Sequence, residues 1–313
     1  MAHTTSNTDH LIRSELWSSD LKDVLEDSLQ ATGYVRWLTE FPDGDVFTIP
    51  SIGQASVRNY QEDTPIQYDA IDTGEFQFEI TEYLSSATYI TNKQKQDSFY
   101  MNELVSSFVP KQSRAIMEHV ETNIYGLQAQ QTADDPNTIN QAAHRRVATG
   151  TSNVIAPEDF AYALYALKKA NVPQRNLIAI VDPSVEYILN TMTNLVNVSN
   201  NPMWEGIIAD GIAQDMRFVK NVYGFDVWCS NYLSAGINET IDGTAITDGV
   251  ANLFFSAEST VLPFIGAWRQ MPNVDSEYNK DFQRDEYVTT ARYGVKLYRP
   301  ENLIVTLSNA DIG

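Results

Sequence analysis

Residues 45–91 read DVFTIPSIGQASVRNYQEDTPIQYDAIDTGEFQFEITEYLSSATYIT, and this stretch decides the fold. Phe76, Phe78 and Ile80 alternate with Glu75, Gln77 and Glu79, and Ile66 alternates with Tyr68, which is the period of half-buried strands. Val46–Pro50 and Ala55–Tyr60 form the opposing arm. The polar run QEDTP at 61–65 stands where two such arms turn back on each other. The reading is a long antiparallel hairpin. Alone in water such a ribbon is marginal, because one face of each strand has nothing to bury against.

The hairpin is acidic. Between Gly44 and Leu84 lie eight carboxylates, Arg58 as the single cation, and no lysine. Two readings stand: a solvated strand face, or an arm lying on a complementary patch of another subunit. On the second, Arg58, Glu62, Asp63, Phe76 and Phe78 are candidate intersubunit contacts. Upstream, Trp17, Leu21, Val24, Leu25 and Leu29 recur every three or four residues in Ser14–Thr32, an amphipathic helix ended by Gly33. Its single apolar stripe needs a partner surface, which makes Trp17 a further candidate contact.

Downstream, Leu104, Phe108, Ile116, Val120, Ile124 and Leu127 make one helical stripe across Lys93–Gln131, about 55 Å long if continuous. Pro110 is expected to kink or restart it. Thr132–Asn153 has no sustained apolar period and reads as a long loop. Then follow a helix opened by Pro157, the buried strand LIAIV ending at Val181 and a helix opened by Pro183, the order of a compact α/β subdomain. Met216–Val222 and Phe225–Ser230 flank Tyr223-Gly224 as a hairpin, with a loop over Gly236–Gly249 and a short strand at Asn252–Phe255. Val288–Tyr298 and Leu303–Leu307 alternate again and are expected to complete a sheet begun near the first hairpin.

The 313 residues are 43% hydrophobic, enough for a substantial core, and the length allows one domain or two. The formal charge of -20 argues against binding phosphate backbones or anionic membranes. One cysteine, Cys229, excludes an intrachain disulfide. No apolar run has the roughly 20 residues of a membrane span, and the N-terminus carries no secretion signal.

Chemistry is hard to find. There is no Gly-rich phosphate loop, no HExxH and no GxSxG, and the four histidines lack metal-site spacing. Asp134-Asp135-Pro136-Asn137 lacks the graded ligands of a calcium loop and reads as a turn. Cys229 reads as a small strand residue rather than a nucleophile. His144-Arg145-Arg146 reads as solvated loop charge, with a neighbour's carboxylate as the other reading. Two glycosylation sequons, at Asn197 and Asn238, are chance matches in the absence of a signal. Catalytic, cofactor and metal sites are all expected to be absent.

The order of elements carries a resemblance: acidic arm, protruding hairpin, long helix, α/β subdomain and returning C-terminal strands. It resembles the major capsid proteins of tailed double-stranded DNA bacteriophages, the Hong Kong 97 fold. FTIPSIGQASVRNYQEDTPIQYDAI at 47–71 looks like that family's extended loop, and LKKANVPQRNLIAIVDPSVEYIL at 167–189 like its axial domain. GFDVWCSNYL at 224–233 and ARYGVKLYRPENLIVTL at 291–307 resemble the axial hairpin and the last peripheral strand.

The resemblance implies an α+β chain with an N-terminal arm at 1–43 and an extended loop at 44–92. A peripheral domain with a spine helix would take 93–153 and 265–313, and an axial domain 154–264. It further implies pentamers and hexamers of the chain tiling an icosahedral shell around DNA in the virion, after assembly in the host cytoplasm, with a portal and possible decoration protein. Some relatives weld subunits through an extended-loop lysine, which this hairpin lacks, so covalent chainmail is not expected. With about 43 residues before the hairpin, a separate scaffolding protein is expected, Trp17–Leu29 being one contact for it. An encapsulin-like compartment shell and, in a different class, an acidic cytosolic enzyme with a dispersed active site are the alternatives.

Overall fold

The structure, a computed structural model, describes residues 29–39, 46–52, 59, 62, 63, 65, 73–97, 101–131, 137–191 and 221–309. In chain order these form β1 (Val35–Leu38), β2 (Val46–Ile52), β3 (Thr73–Glu79), β4 (Glu82–Thr91), α1 (Asn92–Asp97) and α2 (Met101–Gly126). There follow β5 (Thr138–Ile139), β6 (Ala142–Ala143), β7 (Arg145–Val147), α3 (Pro157–Lys169), β8 (Leu177–Val181), α4 (Pro183–Thr191), β9 (Asn221–Val222) and β10 (Phe225–Cys229). The chain continues through β11 (Ile237–Ile241), β12 (Thr244–Ser256), β13 (Phe264–Asn279), β14 (Arg284–Leu297) and β15 (Ile304–Asn309).

Two sheets organise the molecule. A seven-stranded sheet runs β7-β15-β12-β8-β10-β9, with β11 paired to β12; a four-stranded sheet runs β1-β13-β14-β4. The hairpin of the sequence reading is present as β2–β3, antiparallel from Val46↔Glu79 to Ile52↔Thr73. The C-terminus completes both sheets: β14 pairs with β4, and β15 lies between β12 and β7.

The seven-stranded sheet is covered on both faces, which is why its strands read as apolar runs without alternation. Ala179, Val181, Phe225 and Phe254 face α3 and α4, where Phe160 meets Phe254 edge-on at 5.0 Å and Phe225 meets Phe254 at 5.5 Å. Ile180, Leu253, Phe255, Val305 and Leu307 turn the other way into a core with Val120, Ile124 and Tyr125 of α2. Such edge-to-face pairs contribute about 1 kcal/mol beyond their buried area. Helix α3 starts as the sequence requires: Pro157 occupies its first turn, and the Asp159 carboxylate accepts the Ala156 amide at 2.9 Å.

Four expectations need correcting. The helical stripe is two helices, and Pro110 lies exposed inside α2 without ending it; burial of Ile116, Val120 and Ile124 outweighs the one lost helix bond. The stretch expected to be loop before Asn153 contains β5, β6 and β7, and β7 pairs in parallel with β15. Gly236–Gly249 is a hairpin, its turn made by Asp242 (φ 48°) and Gly243 (φ 76°), the two positive values of a primed turn that matches strand twist. Asn252–Phe255 is the centre of the 13-residue β12. The amphipathic segment at Ser14–Thr32 lies outside the described residues up to position 28; Ala31–Tyr34 is a short 3-10 turn.

Candidate assembly surfaces

The β2–β3 arm is anchored at its root. Phe78 and Ile80 pack on Ile265 and Ala267 of β13, with Leu38, Ile49, Phe76 and Tyr298 around them. Phe76 stands edge-on to Tyr298 at 5.1 Å, and Lys296 lies over the Phe76 ring while its Nζ donates to Gln77 O at 2.9 Å. Gly294 permits this approach: a Cβ there would sit 2.6 Å from Glu79 O and 2.9 Å from Ile80 Cα. Phe78 is 0% exposed within its own chain. Its candidacy as an intersubunit contact is therefore corrected: alternation reveals that a face is buried, not which chain buries it. Phe76 is half-buried on the same root.

Glu75, Gln77 and Glu79 point outward from the arm, and Glu62 and Asp63 lie exposed in a turn, Asp63 at φ 63°. Arg58 and Trp17 fall outside the described residues, as do residues 132–136 of the calcium candidate. The structure thus brings Phe76 and Phe78 together in one cluster.

The basic triplet is the largest reversal. Arg145 is 0% exposed. Its guanidinium forks onto Glu239 with Nη2 at 2.7 and 2.9 Å and Nε at 3.0 Å, while Nη1 donates to Gln128 O at 3.2 Å. Arg146 stacks 4.0 Å over the Tyr162 ring and pairs with the buried Asp159 at 3.5 Å. His144 is enclosed between the Ala142 carbonyl at 3.0 Å and the Glu301 carbonyl at 3.2 Å, and burial pushes its pKa below the ordinary histidine value. The carboxylates these cations meet belong to the same chain, so neither reading of the triplet holds. A cleft of about 460 Å³ opens beside β7, lined among others by Arg146, Thr149, Tyr162, Asp242 and Thr244.

A buried acid on α2 was also illegible in the sequence. Glu121 is fully buried and accepts the amides of Gln30 and Ala31 at 2.8 to 2.9 Å, fixing the chain that leads into β1. Beside it, burial and then the Glu121 charge raise the Tyr125 pKa above the ordinary phenol range. Tyr293, buried under α2, is pushed up to about 12, and its hydroxyl accepts from Asn123 at 2.6 Å. Cys229 is a partly buried cysteine on β10. Among the described residues there is no cluster of three metal-ligating side chains, and no helix is long and apolar enough to cross a membrane.

The family model described as phage capsid protein matches residues 63–306. The chain is similar in structure to one from Mycobacterium phage Che8, at 18% identity and TM-score 0.68, over 95% of this chain and 97% of that one. It is similar to a chain of the capsid of cyanophage P-SCSP1u (18%, TM-score 0.73, 98% and 95% covered). A third likeness is to the mature capsid of bacteriophage PhiM1 (12%, TM-score 0.72, 97% and 94% covered). No curated protein matches the chain in sequence. The chain belongs to the phage capsid protein family. It is a structural protein of the phage virion capsid, with a fold of the Hong Kong 97 type.

Proposed function

We propose that the chain assembles as pentamers and hexamers into a closed shell around phage double-stranded DNA, with the β2–β3 arm crossing a neighbouring subunit. The observation that carries this is the arm's construction. Its root is anchored by Phe78 in its own core, while the carboxylates Glu62, Asp63, Glu75 and Glu79 are left exposed. Glu62, Asp63, Phe76, Arg58 and Trp17 remain the contacts we assign to neighbouring chains, Phe76 through its exposed part.

Within this reading 1–43 is the N-terminal arm, 44–92 the extended loop, 93–153 with 265–313 the peripheral domain and 154–264 the axial domain. Strand β4 closes the extended-loop range yet pairs with β14, and Phe76 and Phe78 already pack on the body, so the last part of that range belongs to the subunit's own core. The role is structural rather than catalytic: the two arginines beside the cleft already have carboxylate partners. A scaffolding protein, a portal and a decoration protein are the further partners proposed, with assembly in the host cytoplasm.

Light scattering with negative-stain imaging, on the chain alone and with its scaffold, tests the shell. Closed particles of megadalton mass holding nuclease-resistant DNA are expected after packaging. Particles loaded with protein instead would mean a compartment shell, and a permanent 35.2 kDa monomer would refute both. If the acidic arm meets cations across the interface, early assemblies should loosen at high salt.

A further inference from the structure

The four-stranded sheet ends on a long strand whose outer edge no described strand covers. β4 reads EYLSSATYIT and pairs with β14 without a register break from Glu82↔Tyr293 to Thr91↔Arg284. Its other side has no strand partner among the described residues. In an antiparallel ladder every second residue turns its N–H and C=O away from its neighbour, so β4 offers about five such residues along its free edge.

Proteins protect edges with short strands, lysine, proline or bulges. The remaining described edges of the two large sheets follow this rule: β1, β7 and β9 have 4, 3 and 2 residues, and β11, with 5, is broken by a register shift after Ile237. β4 has ten residues, no lysine, no proline, no bulge, and Glu82 as its single charge.

The face beside that edge is also dressed for contact. α2 seals the other side of the sheet, where the Thr289 hydroxyl donates to Gln112 Oε1 at 3.2 Å and the Tyr293 hydroxyl accepts from Asn123. On the open side Tyr83 and Tyr89 are 65% and 57% exposed. Arg284 holds a platform together, its guanidinium 4.4 Å from the Tyr89 ring and 4.7 Å from the Phe282 ring, with Phe282 66% exposed. A preformed aromatic platform beside open backbone is what an added strand needs for affinity and register.

We propose that the free edge of β4 is completed in the shell by a strand from a second copy of this chain, through main-chain hydrogen bonds flanked by Tyr83, Tyr89 and Phe282. A second copy is the occupant for two reasons. The shell reading makes copies of this chain one another's neighbours, and in a chain of net charge -20 an almost uncharged strand is where two copies meet with least repulsion. The proposal rests on the shell reading but adds to the acidic arm a second, uncharged contact.

Amide hydrogen exchange on the wild-type chain, unassembled and in shells, is the test. In the unassembled chain about half the β4 amides should exchange freely; in shells these should slow by about 100-fold. Shells whose β4 amides exchange as in free subunits overturn the proposal and leave the shell reading intact. Protection that appears only on adding a different protein overturns the choice of occupant, and a chain that never assembles overturns both. Ala87→Lys and Tyr89→Lys place a cation beside the edge while Val288 and Glu286 remain opposite. They should cut assembly at least tenfold with the subunit melt unchanged, and unimpaired assembly would refute the proposal.

Discussion

The two sheets meet the same burial problem in different ways. The seven-stranded sheet has apolar residues on both faces and covers them from its own chain, with α3 and α4 on one side and α2 on the other. The four-stranded sheet is covered by α2 on one face; on the other the arm root covers Ile265 and Ala267 but leaves Tyr83 and Tyr89 exposed, and the longest described edge lies at its margin. One region is finished when the subunit folds; the other is finished by assembly. The difference predicts where a substitution acts: on the subunit in the first region, on the particle in the second.

The strongest way to break this contrast is Phe254→Ala. It empties the junction of Phe160 and Phe225, and should destabilise the unassembled subunit by about 4 kcal/mol in urea unfolding. A loss below about 1 kcal/mol would mean the layer is not self-sufficient. Arg145→Met should follow at about 3 kcal/mol, because Glu239 and the Gln128 carbonyl lose their donor inside the fold. If Arg145→Met leaves unfolding unchanged but blocks particles, the guanidinium serves a neighbour after all.

The arm root lies between the two regimes and sharpens the comparison. Phe78→Ser should cost the subunit about 3 kcal/mol, since Phe78 is enclosed by Ile80, Ile265 and Ala267. Phe76→Ser, at a half-buried position against Tyr298, should cost the subunit about 1 kcal/mol and reduce assembly more. Equal losses of subunit stability would remove the distinction. Gly294→Ala should cost about 2 kcal/mol, because its Cβ meets the Glu79 carbonyl, a backbone atom that moves only if the arm shifts. A neutral result there would show that the arm is not clamped at its root.

How much of this was legible depended on period. Phe76, Phe78 and Ile80 announced a strand by alternation, and Pro157, LIAIV and Pro183 announced the α/β layer, because local chemistry fixes those elements. Partners were not legible. Phe78 looks the same whether β13 or a neighbour covers it, and Arg145 beside His144 and Arg146 looks solvated until Glu239, 94 residues later, folds onto it. β13 escaped notice because Gly266, Arg269, Pro272 and Asp275 interrupt its pattern, and its register shifts twice before Asn273. The Asp242-Gly243 turn carried a hairpin signal that the surrounding polar residues obscured.

The smallest effect concerns His144, at the seam where β7 joins the finished region. Burial lowers its folded pKa below 6.5, the value expected in the unfolded chain, while the two carbonyls beside it pull only partly the other way. Below about pH 6.5 the unfolded chain therefore takes up a proton that the folded chain refuses. Stability owed to this site is complete above that value and declines as pH falls through it toward the folded pKa. Between about pH 7 and 5.5, above the range where most carboxylates titrate, wild-type subunits should lose stability, and His144→Gln should flatten the slope. Parallel slopes for the two proteins would mean that the folded imidazole accepts its proton, held by the Ala142 and Glu301 carbonyls as a doubly donating cation. The seam would then tolerate charge that the rest of the seven-stranded core does not.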